Sequence, residues 1–71
     1  MERRQIISTY FNSVGYDPAT RTLEVEFLQG DIYQYYDISE FIYRGLMSAH
    51  SRGSFFYSNI KGAGFNFSKI K

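Results

Sequence analysis

The clearest pattern in the chain is the alternation Thr22-Leu23-Glu24-Val25-Glu26-Phe27, which places Leu23, Val25 and Phe27 on one side of a strand and Thr22, Glu24 and Glu26 on the other. On that pattern the two glutamates read as solubility residues on a solvent-facing side. Upstream, Ser13-Val14-Gly15-Tyr16 reads as a strand running into a turn at Asp17-Pro18-Ala19-Thr20, where Pro18 presets the backbone angle of a turn's second position. Downstream, Gln29-Gly30-Asp31 makes a short hairpin connection. Ile32-Tyr33-Gln34-Tyr35-Tyr36-Asp37-Ile38 then returns with β-branched and aromatic residues suited to a pleated surface. These segments predict three antiparallel strands in a meander.

After Ile38 the period changes. Asp37 and Ser39 are both capping residues, and Glu40 puts negative charge in a first turn, where the helix dipole favours it. Phe41, Ile42, Leu46 and Ala49 recur at helical spacing, with Tyr43 and Met47 widening the stripe until Ser51-Arg52-Gly53 ends it. Gly45 weakens that helix by roughly 1 kcal/mol relative to Ala and permits close packing. A second, shorter helix is expected from Ser54 as cap through Phe55, Phe56 and Ile60 to a stop at Gly62-Ala63-Gly64. The alternating Phe65-Asn66-Phe67-Ser68 is expected to lie back along the sheet as an extended segment. The predicted class is α+β: a three-stranded antiparallel meander followed by two helices packed on one face, β-β-β-α-α, with that extended C-terminal segment. One domain is expected over 8–67, with 1–7 and 68–71 as loose termini.

Length makes this a thin structure to hold together. The chain has 71 residues, and below about 80 residues a single core rarely supplies more than ~3–5 kcal/mol. With no cysteine and one histidine, His50, neither disulfides nor a thiolate metal site can help, which leaves the seven Phe and seven Tyr to pack densely. No apolar run is long enough for a signal peptide or a membrane span, so a cytoplasmic location is expected.

Net charge is only +1, but its distribution is lopsided. Through Glu40 three arginines face all seven acids, giving −4; from Phe41 onward Arg44, Arg52, Lys61, Lys69 and Lys71 stand without an acid, giving +5. Such asymmetry points either to a basic face for phosphate-bearing or acidic partners or to a solvated rim.

Several of these segments, taken in order, resemble a known family. They are Val14-Gly15-Tyr16-Asp17, the Thr22–Phe27 alternation, Gly30 before Tyr33-Gln34-Tyr35, the helical Tyr43, Leu46 and Ala49, and then Ser51, Gly53, Phe56, Ile60 and Lys61. Together they resemble the KTSC domain, a small module found alone in bacterial and phage proteins and fused to the C-terminus of some lysyl-tRNA synthetases. The resemblance implies no catalytic residue and no cofactor. The attachment to a tRNA-handling enzyme implies a role in RNA binding. Gly45 and the Phe65-Asn66-Phe67 tail depart from the family pattern, which otherwise ends in a more basic, tyrosine-rich stretch.

Catalysis would need a nucleophile with a base, a carboxylate pair in a cleft or a metal site, and none is legible. His50 stands alone, and Gly62-Ala63-Gly64 beside Lys61 lacks the strand-to-helix setting of a phosphate loop. The chain is therefore expected not to be an enzyme, to need no metal and to have no small-molecule substrate, its core being too small for a pocket of ~300–1,000 Å³. Recognition is expected instead from aromatic and basic residues: Tyr33 and Tyr35, which share a strand face, with Arg44, Arg52, Lys61 and Lys69. Whether the two tyrosines are exposed platforms or pack under the helices stays open at this point. Two partners fit: RNA of a tRNA-like kind, or a protein, whether a second copy of the chain or, for a phage-encoded modulator, a host protein.

Overall fold

The computed structural model describes all of residues 1–71. Its sheet contains the three anticipated strands in the middle, β2 (Phe11–Asp17), β3 (Thr22–Phe27) and β4 (Ile32–Tyr35), joined as an antiparallel meander. Asp17 Oδ1 accepts from the Ala19 amide to close the first turn, and Gly30, at φ 100°, makes the left-handed step of the second.

The sheet has five strands, not three. β1 (Arg4–Gln5) pairs antiparallel with β2, and β5 (Phe67–Lys69) pairs antiparallel with β4, so the spatial order follows the chain order. Both additions are edge strands at the chain ends. Arg4-Gln5 is two polar residues with no periodicity to read, and it belongs to the sheet because β2 offers it a free edge rather than because of its own propensity. The extended tail does lie along the sheet, with its paired segment at Phe67–Lys69.

Two helices cover one face. α1 (Glu40–Ser48) begins where Ser39 Oγ accepts from the Ile42 amide. α2 (Arg52–Asn59) begins earlier than the sequence suggests: Ser51, read as part of the previous helix's stop, is its N-cap and accepts from the Ser54 amide. Gly53 therefore sits inside α2, where the Tyr10 ring packs against the face a side chain would occupy. A single 3₁₀ turn at Lys61–Ala63 then leads to Gly64 in the left-handed conformation and on to β5. No helix is long and apolar enough to cross a membrane.

The core lies between this face and the helices, built from Phe11, Val14, Leu23, Val25, Tyr35, Ile38, Leu46, Phe56 and Ile60. A register shift between Phe11 and Ser13 lets Phe11 and Val14, three residues apart, point the same way. Phe56 is the hub, meeting the rings of Phe11, Tyr35 and Phe27 edge-on at centroid distances of 5.2, 5.3 and 5.7 Å. Truncating a buried phenylalanine to alanine costs about 3–5 kcal/mol, which is the whole margin expected of a chain this size.

Candidate functional site

On the helix-covered face, β4 presents Tyr33 and Tyr35, and β5, in register, sets Lys69 opposite Tyr33 and Phe67 opposite Tyr35. The helices cover only part of that surface. Tyr35 is core, 4% exposed, so of the two tyrosines only half-buried Tyr33 is a platform. Next to it Phe67 is 58% exposed, its ring centroid 6.0 Å from that of Tyr33 and 5.5 Å from that of Tyr35.

These rings form the wall of a surface groove of about 490 Å³, lined as well by Tyr10 and Phe27 and, at its polar positions, by Gln29, Asp31 and Lys61. A groove this size lies within the range typical of small-molecule sites. The expectation that the chain is too small to form one is therefore corrected: the space is at the surface, between the sheet and the 3₁₀ turn, not inside the core.

The groove combines aromatic faces with separated charges. Lys61 follows α2 and rests 5.5 Å from the centroid of the Tyr57 ring. Asp31 precedes β4, with its Oδ1 3.9 Å from the Lys69 ammonium. That distance is beyond hydrogen-bond range, so the carboxylate keeps its acceptor sites. Burial, followed by the neighbouring Tyr33 and Tyr10, pushes the Tyr35 hydroxyl above the usual phenol range, so at neutral pH it is a proton donor.

Of the six residues singled out from the sequence, Tyr33, Tyr35 and Lys61 line this groove, and Lys69 stands beside it, opposite Tyr33. Arg44 and Arg52 do not border it. Arg44 is one turn from Glu40 on the exposed side of α1 and pairs with it at 2.6 Å. Arg52 is half-buried and works as a strut, its Nη2 donating to the Met47 carbonyl at the end of α1 and its Nη1 to the Ile7 carbonyl. Its Nε is the one buried side-chain nitrogen or oxygen without a partner. The basic residues therefore do not converge on a single face.

Tyr10, Phe27, Gln29, Asp31 and Phe67 were not among the expected site residues. Phe67 and Asp31 carry a readable signal: Asp31, Tyr33 and Tyr35 keep a period of two, and Phe67 continues the alternation that begins at Phe65. Tyr10 reaches the groove only through its tertiary packing on Phe27 and Gly53.

The opposite face of the sheet is polar and closed on itself. Glu24, expected to be solvated, is 5% exposed. It accepts from Arg3 Nη1 and from Gln34 Nε2, the latter at 2.8 Å. Arg3 Nε also donates to Ser13 Oγ, which donates in turn to Glu26, and Tyr36 donates to Gln34. Burial would raise the Glu24 pKa, but the hydrogen bonds from Gln34 and Arg3, with the charges of Arg3 and the terminal amine, outweigh it and hold the carboxyl below its ordinary range. Alternation alone misassigned Glu24 because it shows which side a residue takes and not what covers that side, whereas Glu26, on the same side, stays partly exposed.

Comparison with known proteins agrees with this architecture. The family model of the KTSC domain matches residues 7–65. A crystal structure of a KTSC domain protein from Yersinia pestis is 42% identical and superposes with a TM-score of 0.89, covering 99% of this chain and 97% of that one. An uncharacterised protein of Stutzerimonas stutzeri is 33% identical over 70 residues, 99% of either chain. A lysine–tRNA ligase of Nostoc sp. is 35% identical over 54 residues, 76% of this chain, which spans only 10% of the length of that ligase.

Proposed function

The chain belongs to the KTSC domain family, and we propose that it is a non-catalytic accessory module that holds an unpaired stretch of RNA in the groove between β4, β5 and the 3₁₀ turn that follows α2. The observation that carries this reading is the meeting of two aromatic rings, half-buried Tyr33 and exposed Phe67, with Lys61 and Lys69 on one surface. Unpaired bases stack on such rings whatever their sequence, and ammonium groups beside them meet the phosphates. The name of the Nostoc relative supports the same direction, since that protein acts on a tRNA.

Affinity in this arrangement comes mostly from stacking. With Arg44 tied to Glu40 and Arg52 to backbone carbonyls, about two phosphates meet a lysine, and single-stranded RNA releases roughly 0.7 counterion per neutralised phosphate. Binding should weaken only about sevenfold between about 50 and 200 mM salt.

A second reading, a protein-binding module or a homodimer using the same groove, is favoured by Leu28 and Phe67, large apolar side chains at least half exposed on its lining. Fluorescence anisotropy with a labelled U-rich RNA heptamer at two salt concentrations separates the two readings. The RNA reading predicts binding that weakens at least fivefold in Phe67→Ala, since each stacked base is worth about 1–3 kcal/mol. No binding at low salt, or binding indifferent to Phe67→Ala and Tyr33→Ala, overturns it in favour of a protein partner.

A further inference from the structure

The polar side chains of the groove carry more information than its rings. Asp31 lies two residues before Tyr33, immediately ahead of β4, and lines the same groove as Tyr33 and Tyr35. Asp31 and Gln29 border the groove at the β3–β4 turn, while Lys61 comes from the 3₁₀ turn after α2. The groove therefore offers an acceptor at one place and a cation at another, with aromatic rings beside them.

Resting on the RNA reading above, we infer that this groove selects guanine, with Asp31 as the specificity-determining residue. A carboxylate has two acceptor oxygens side by side. Of the four RNA bases only guanine presents two adjacent donors on its Watson–Crick edge, N1–H and the N2 amino group, so only guanine makes a paired, charge-assisted contact with both oxygens. Cytosine and adenine offer one amino group next to a ring nitrogen lone pair, and uracil offers one N–H between two carbonyls. Each of these turns an acceptor toward the carboxylate.

The ammonium of Lys69 lies 3.9 Å from Asp31 Oδ1, beside the carboxylate without occupying it through a hydrogen bond. Lys61, whose ammonium rests beside the Tyr57 ring, would meet the phosphate of the stacked nucleotide.

The test is anisotropy with U-rich heptamers carrying guanosine, inosine or adenosine at the centre, against the wild-type chain, Asp31→Asn and Phe67→Ala. The guanosine heptamer should bind about tenfold more tightly than the adenosine one, in the range of a bidentate base contact, with inosine, which lacks the amino group, in between. In Asp31→Asn the preference should fall below about twofold while the adenosine heptamer binds as well or better, the groove having lost a negative charge. Equal binding of all three heptamers that is still lost in Phe67→Ala overturns the guanine assignment and leaves the RNA reading standing. Absence of binding to any heptamer overturns both.

Discussion

Arg3 reaches Glu24 by passing over Gly15. In the sheet Gly15 stands directly beside Glu24 in the neighbouring strand, and a Cβ on Gly15 would lie 2.4 Å from the Glu2 carbonyl and 3.1 Å from Arg3 Cγ. The missing side chain lets β1 close over the polar face and lets the guanidinium meet a carboxylate that is otherwise buried. The short edge strand, the glycine and the buried acid are one device.

Removing the cation should therefore cost more than a surface ion pair would. Arg3→Met leaves Glu24 buried with only Gln34 as a side-chain partner. The expected loss is about 2 kcal/mol, the scale of an uncompensated buried polar group, or a fall in Tm of roughly 10 °C for a chain this short. Gly15→Ala should act similarly by displacing β1. Thermal unfolding followed by circular dichroism checks both.

The same carboxylate gives stability a pH dependence of definite sign. Its folded pKa is depressed, so Glu24 contributes stability that is fully present above the unfolded glutamate value of about 4.3 and is lost as pH falls through the lower, folded value. Urea titrations across the acid range should show a steeper fall for the wild-type chain than for Glu24→Gln.

Gly45 and Phe55 form the tightest point between the helices. A Cβ at Gly45 would lie 2.6 Å from Phe55 Cζ, so Gly45→Ala, which in an open helix would gain about 1 kcal/mol, should be neutral or destabilising here. In the background of Phe55→Leu the gain should return, giving a coupling of at least 0.5 kcal/mol in a double-mutant cycle measured by urea denaturation.

How much of this was readable depended on whether a residue's role was local. The Leu23-Val25-Phe27 face, the Ser39 cap and the close packing at Gly45 follow from periodicity and backbone chemistry. β1 was hidden because Arg4-Gln5 has no pattern of its own and exists only by pairing with β2. Its absence from the sequence reading in turn made Glu24 look solvated. At the site, Tyr33, Tyr35, Lys61 and Lys69 were legible as aromatic and basic residues, whereas Arg44 and Arg52 carry the same charge but are committed to Glu40 and to backbone carbonyls. Composition cannot separate a free cation from an engaged one.

The proposed surface can be located directly by titrating the isotopically labelled chain with the U-rich heptamer and following amide chemical shifts. The account predicts perturbations concentrated at Asp31, Tyr33, Lys61, Phe67 and Lys69, with Arg44 on α1 and the Glu24 network on the opposite face unmoved. Shifts centred on α1 or on the Glu24 face, or no shifts at all, would contradict it.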